Sequence, residues 1–422
     1  LGPLDEGTYL IERTMDAIAR ELGLDPAEVR RRNFIPKDRF PYRTATGLVY
    51  DSGDYNAALD LALEKAEYDK WRRRQEELRR NPQGKYLGIG ISTYVEISGI
   101  GPSKGMNEMG AGGGHFESGS IRVHPNGHVT VITGTSPHGQ GHRTAWAQIV
   151  SDELGVPMDQ IEVLHGDTDM GVQGVGTHGS RSAPVGGTAL YLAAGKIKEK
   201  ARRIVAHVLE ASPEDVVFEN GRFFVRGTPA KAMTLAEVAS VAYQALQLPE
   251  GMEPGLEATT FFDPPNFTYP FGAHVCVVEV DAETFETKIV RYVSVDDCGR
   301  VINPLLVEGQ VHGGLCQGIA QALYEEMVYD ENAQPLTGTF MTYAIPTAVE
   351  MPSFELYRTV TPSPVNPLGV KGVGEAATIG STPAVVNAVV DALSHLGVRD
   401  VDMPLKPHRL WEAVAKAQGK GA

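Results

Sequence analysis

Apolar residues at Leu10, Ile11, Met15, Ile18 and Leu22 recur at helical spacing and predict a helix over residues 8–22, stopped by Gly23. Asp25-Pro26-Ala27-Glu28 restarts a short helix with the signature of a capping box. Residues 54–80 read as one longer helix, apolar in its first half and densely charged in its second. Asn81-Pro82-Gln83-Gly84 ends that pattern, and an apolar run predicts a strand over 86–97. A glycine-rich loop fills 99–114, and a hairpin pairs 121–123 with 129–132 around Asn126-Gly127. A helix over 143–154, a strand over 160–164 and a long helix over about 185–210 come next. Residues 218–224 form a second hairpin, 249–270 look irregular, and strands at 274–280 and 288–295 flank a turn. A helix follows over about 307–326, and Thr382-Pro383 reads as N-cap and first residue of a helix over 383–396. This mixture predicts an α+β fold of two subdomains of mixed β-sheets with packed helices. The clearest boundary divides residues 1–84 from 85–422.

Composition narrows the function. A 422-residue chain with 42% hydrophobic residues can bury a sizeable core, and a net charge of −15 argues against nucleic acid or an anionic membrane as partner. The run Arg72-Arg73-Arg74 with Arg79-Arg80 is local and reads as a solvated helix end or a subunit contact. Cys276, Cys298 and Cys316 are scattered and never spaced as CxxC. That pattern points to a reducing compartment and away from a disulfide frame, a zinc site or an iron–sulfur cluster in this chain. No apolar run of eighteen residues and no basic-then-apolar leader is evident, so a soluble, cytoplasmic protein without membrane insertion is expected. The start, Leu1-Gly2-Pro3, lacks Met and suggests a fragment or processed piece.

Glycine loops carry the candidate chemistry. Lys371-Gly372-Val373-Gly374-Glu375 places one carboxylate on a backbone that can approach a bulky ligand closely. Taken alone, it is equally a surface turn. Gly134-Thr135-Ser136-Pro137-His138-Gly139-Gln140-Gly141-His142 leads into a helix, where backbone N–H groups favour anions and Gln140 adds an amide that donates and accepts. His138 and His142 have a metal-compatible spacing, but Gly-Gln-Gly between them is a poor helix and no third ligand is near. Gly174-Val175-Gly176-Thr177-His178-Gly179 matches GxGxxG formally, without the preceding strand or following acidic residue of a nicotinamide site. Its useful part is Gly179-Ser180-Arg181-Ser182, whose hydroxyls, guanidinium and amides suit a pyrophosphate. Residues 308–318 hold Gln310 and several glycines, each costing about 1 kcal/mol in a plain helix, which implies close packing. A hydrolase using Glu375 with His138 or His142 would lack a nucleophile signature.

Together these pieces resemble the large, molybdenum-binding subunit of the molybdenum hydroxylases, the family of xanthine dehydrogenase, aldehyde oxidoreductase and aerobic carbon monoxide dehydrogenase. The matching segments run in the family's order. They begin with Tyr9-Leu10-Ile11-Glu12-Arg13, Arg31-Arg32-Asn33-Phe34 and Tyr50-Asp51-Ser52-Gly53-Asp54-Tyr55. They continue through the Gln140 loop, Gly179–Ser182, Asp297-Cys298-Gly299 and Gly309-Gln310 to Asn366-Pro367-Leu368-Gly369 and Lys371–Glu375. The resemblance implies that Gly139, Gln140, Gly141, His142, Gly179, Ser180, Arg181, Ser182, Gln310, Lys371, Gly372, Val373 and Gly374 bind a molybdopterin cofactor, in bacterial relatives often the cytosine dinucleotide. No protein side chain would ligate the molybdenum, which the pterin dithiolene holds. Glu375 would be the acidic residue beside it, a general base in a hydroxylation whose oxygen comes from water. Electrons would leave through iron–sulfur clusters on a small subunit and FAD on a medium subunit. The chain matches the C-terminal half of the large subunit, so an N-terminal half is a further implied partner, with domains at 1–84 (the end of the first molybdopterin-binding domain) and 85–422 (the second). In carbon monoxide dehydrogenases of the family a copper-binding cysteine lies near the position of Leu1–Asp5, which contains none. The alternative is a cofactor-free binding or scaffold module.

Overall fold

The computed structural model describes residues 2–170 and 173–419, with side chains from Glu6 onward; the Leu1–Asp5 departure lies outside the described side chains. Its central sheet has the order Phe354–Arg358, Thr287–Asp297, Phe271–Asp281, Lys85–Val95, antiparallel except for the parallel first pair. Strand alternation assigns the two faces. Leu87, Ile89 and Ile91 pack with Val275 and Val293 against Leu59 and Ala62 of helix Tyr55–Ala66. Cys276, Val278 and Tyr292 face helices Pro304–Leu323 and Ala376–Leu393. Gly88 and Gly90 stand on that second face, where a Cβ would collide with the carbonyl oxygens of Ala388 and Ala384. The helix backbone therefore rests on the strand with no side-chain layer between.

A second sheet, ordered Glu257–Phe262, Glu117–Val123, Val129–Thr133, Ile161–Leu164, packs with helices His142–Leu154 and Thr188–Val208 around Trp146, Leu190 and Ile197. A three-stranded sheet, Val216–Glu219, Arg222–Val225 and Thr228–Thr234, lies beside it and leads into helix Leu235–Gln244 through a Thr234/Glu237 capping box. The molecule is α+β with several mixed sheets, as the pattern predicts. Residues 81–84 lie between helix Tyr68–Arg80 and strand Lys85–Val95. The helices before that link share a hydrophobic cluster with the sheet after it.

Several elements differ from expectation. The helix over 54–80 is two, Tyr55–Ala66 and Tyr68–Arg80, because Glu67 takes a left-handed conformation at φ 53°. Its arginines are not simply solvated: Arg72 Nη1 donates to Asp391 Oδ2 at 2.8 Å, and Arg79 reaches Asp391 Oδ1 at 3.4 Å. Residues 249–270 contain the edge strand Glu257–Phe262, which the turn-rich flanks disguise. The last long helix starts at Ala376 and carries Pro383 inside. Thr382 does not cap it; its Oγ1 donates to Gly318 O on the neighbouring helix at 3.2 Å. This helix, extended to Leu396, is also long and apolar enough to cross a bilayer, but 94% of its apolar window is buried in the core.

The glycines of Pro304–Leu323 divide by role. Cβ atoms at Gly314 and Gly318 would strike Ala377, Thr378 and Ser381 of the Ala376–Leu393 helix, whereas Gly313 meets nothing within 4 Å. This is the close packing that the sequence implied, and Gln310 Oε1 comes to face Gly374, the residue before Glu375.

A cavity ringed by helix starts

Three helical segments begin at one place. Helix His142–Leu154 follows Gly141, the π-helical turn Ser182–Gly187 follows Arg181, and Ala376–Leu393 follows Glu375; none has a side-chain cap. Uncapped first turns leave N–H groups free and concentrate the positive ends of three helix dipoles. Between them lies a cavity of about 580 Å³, within the range of cofactor sites. Gly139, Gln140, His142, Gly179, Ser180, Ser182, Gln310, Lys371, Gly372, Val373, Gly374 and Glu375 all line it. Arg300, Asn303, Leu306 and Val307 line it too. Gly141 and Arg181, also expected there, do not line it.

Their absence has physical causes. Gly141 is turned against Leu306 at φ 82°, a conformation that lets the loop enter its helix. Arg181 is fully buried behind the loop. It donates to Glu117 Oε2 at 2.7 Å and to the carbonyls of Ile100, Gly176, His115 and Phe116. It is therefore a strut that gathers three loops, and its charge is spent on Glu117 rather than on a ligand. Lys371 is similar in part. Its ammonium lies 3.4 Å from Ser52 O and 5.0 Å from the centroid of Phe271. Burial lowers its pKa, and Asp51 and Asp297 oppose that shift.

The Lys371–Glu375 loop is tied down along its length. Asn366 exchanges two hydrogen bonds with Val370, and Lys371 N donates to Cys298 O at 2.8 Å. Gly372 N donates to Ser98 Oγ at 3.2 Å, and a Cβ there would collide with Ser180. Glu375 then projects at the helix start, with Ser180 Oγ donating to its Oε2 at 2.7 Å. Ser180 is held at φ 48°, a rare conformation for a residue with a side chain. Its Oγ also lies 3.1 Å from Oε1 of the buried Glu96. Sequence reasoning passed over Glu96, although a lone acid at the end of an apolar strand is a visible signal.

Across the cavity, Gln140 folds back on its own loop, its Nε2 donating to Ser136 O at 3.3 Å. Burial, then His165 and His138, pushes His142 down to about 4, so its ring is neutral at ordinary pH. Burial pushes the Cys298 thiol up to about 12, which makes it inert as a nucleophile.

A bulky, partly anionic group fits these residues. Buried His142 Nδ1 has no hydrogen-bond partner within the protein, and a Cβ at Gly139 would enter open space. Uncapped amides on three sides complete a cradle for phosphate and ring edges. The fold and cavity thus define a chain built to hold a large phosphorylated cofactor beside one carboxylate.

Comparison with known proteins makes that class specific. The family model for a molybdopterin cofactor-binding domain matches residues 61–352, and a second model of that description matches 4–34. The carbon monoxide dehydrogenase large chain of Hydrogenophaga pseudoflava is 48% identical over 97% of this chain and 51% of its own length. The nicotine 6-hydroxylase large subunit of Paenarthrobacter nicotinovorans is 39% identical over 96% of this chain and 49% of its own. A crystal structure of a Cu,Mo-CO dehydrogenase superposes with a TM-score of 0.94 at 43% identity, covering 99% of this chain and 53% of that one. The chain belongs to the molybdopterin-binding large subunits of the molybdenum hydroxylase family, and it spans about half the length of these relatives.

Proposed function

We propose that this chain is the C-terminal portion of a molybdenum hydroxylase's catalytic subunit. It would oxidise a small substrate, an aldehyde, an N-heterocycle or carbon monoxide, with oxygen from water. The observation that carries this reading is the Glu375 carboxylate, fixed by Ser180 at a helix start and lining a cavity that the candidate loops share. The amides of Gly139, Gly179 and Lys371–Gly374, with Gln140, Ser182 and Gln310, would hold the pterin and its phosphates. The three converging helix starts favour a dinucleotide form, the cytosine dinucleotide by resemblance. When bound, the molybdenum centre supplies Lewis acidity and an electron sink.

The chain's own contribution is acid–base. Ser180 holds Glu375 Oε2, and the carboxylate can accept a proton inside the cavity. Val301, Ile302, Leu306 and Val307 give part of the cavity an apolar lining. Electrons would pass to iron–sulfur clusters on a small subunit and FAD on a medium one. The N-terminal half of the large subunit would complete the substrate pocket, so turnover would require it. The division at 84, between the end of one molybdopterin-binding domain and the start of the next, and a cytoplasmic setting belong to the same proposal.

The test is Glu375→Gln in the assembled enzyme. Loss of general-base catalysis should lower kcat by about 10²–10⁴-fold. Molybdenum and pterin content should stay near the unmodified level. Full turnover in that variant would refute the assignment.

A further inference from the structure

Helix Gly2–Leu22 faces the wrong way for a surface helix. An amphipathic helix normally turns its apolar stripe to the core and its charges to water. Here the face that meets the rest of the chain carries Tyr9, Glu12, Arg13, Asp16 and Ala19. Glu12 accepts from Arg30 Nε at 2.7 Å and from Thr93 Oγ1 at 2.9 Å, and Asp16 lies 2.8 Å from the same guanidinium. Arg13 donates to Asn387 Oδ1 at 2.8 Å and to Asp400 Oδ1 at 2.7 Å. Ile11, Met15, Ile18 and Leu22 recur at helical spacing and form one stripe on the other side. Ile11 is 62% exposed, Ile18 39% and Leu22 64%. Thr14 and Ala17 beside them are exposed and uncharged.

The stripe runs into a groove. Ile11 and Met15 also line a cavity of about 280 Å³, together with Phe34, Ile35, Tyr50 and Val95. The two charged residues that reach this cavity, Glu12 and Arg30, are paired with each other. Stripe and groove make a continuous apolar surface that no described residue covers, the mark of a protein–protein contact.

Two observations bear on its occupant. One molybdopterin-domain model matches residues 4–34, which hold this helix and helix Pro26–Asn33. That segment is shorter than the roughly 50 residues a domain needs to build its own core. Relatives that match this chain over nearly its whole length are also about twice as long.

We propose that Ile11, Met15, Ile18 and Leu22, with the adjoining groove, are the docking surface for the remainder of the first molybdopterin-binding domain, carried by the N-terminal half of the large subunit. That half would set an apolar, uncharged face on the stripe and a side chain in the groove, so that the inverted helix becomes core. The proposal rests on the reading of this chain as one half of such a subunit. A second copy of the chain and the partner subunits are the competing occupants.

The test uses the assembled enzyme, with both halves of the large subunit and the partner subunits present. A benzophenone side chain in place of Ile18 is irradiated, and the crosslinked peptide is identified by mass spectrometry. The crosslink should fall in the N-terminal half. Ile18→Glu should lower the thermal midpoint of the assembly, because it buries a charge in an apolar interface. A crosslink to a second copy or to a partner subunit would overturn the proposal, as would the absence of any crosslink or an unchanged midpoint in Ile18→Glu. An assembly that crosslinks as expected and holds molybdenum without hydroxylase turnover would support the docking surface and refute the enzymatic reading alone.

Discussion

Arg181 is where residue chemistry and residue position part company. Its neighbours in sequence, Ser180 and Ser182, reach the cavity, while its own side chain turns inward to Glu117 with both partners fully buried. Removing one member of such a pair leaves an uncompensated charge and costs about 3–5 kcal/mol. Arg181→Met should therefore lower the unfolding midpoint strongly, which a denaturant titration would record. Little stability lost would mean that the loops are held by something other than this strut. The distinction could not be read from sequence, because a guanidinium beside two hydroxyls looks the same whether it faces a phosphate or a carboxylate. Glu375 and Gln140 were legible because their loops carry them in any conformation. Glu96 is visible as an acid at the end of an apolar strand, but only the fold brings it against Ser180.

At the scale of elements, the sequence announced most helices and both hairpins through apolar period and turn chemistry. It failed where tertiary contacts override local signals. Thr382-Pro383 is a sound helix-start signal, yet the buried helix runs through it because Thr382 is engaged by its neighbour. The start of Pro304–Leu323 was legible but passed over: Asn303 caps it by accepting from Leu306 N at 3.2 Å, with Pro304 at the first position. The glycines in that helix provide a paired prediction. Gly313→Ala should stabilise by up to about 1 kcal/mol, since a methyl there meets nothing and alanine favours a helix. Gly318→Ala should destabilise by about 1–3 kcal/mol through overpacking against Ser381 and Thr378. Equal effects on the thermal midpoint would contradict the packing described here.

For the whole molecule, Asp391 joins three layers. It accepts from Arg72 and Gln75 of one helix and from Ile89 N of the central strand while sitting on the helix that begins at Glu375. Burial alone would raise its pKa, but Arg72 and Arg79 hold it below the ordinary 3.8. A carboxylate depressed in the folded state stabilises above its unfolded pKa and loses that contribution as pH falls through the folded value. Stability should therefore drop as pH falls below about 4. Asp391→Asn should be less stable at neutral pH and show a shallower acid dependence in melting experiments. An unaltered acid limb would remove Asp391 from the linkage.

The absent side chains of Gly88 and Gly90 have a consequence for how such a site can diversify. With helix backbone seated directly on strand backbone at Ala384–Ala392, the helix that follows Glu375 is clamped through its C-terminal half, with no compressible layer there to re-shim. Retuning the enzyme toward a new substrate by shifting its base would mean moving the sheet. Adaptation is thus channelled to the Arg300–Val307 wall and to whatever closes the cavity mouth, while the proton acceptor stays fixed as a common reference point.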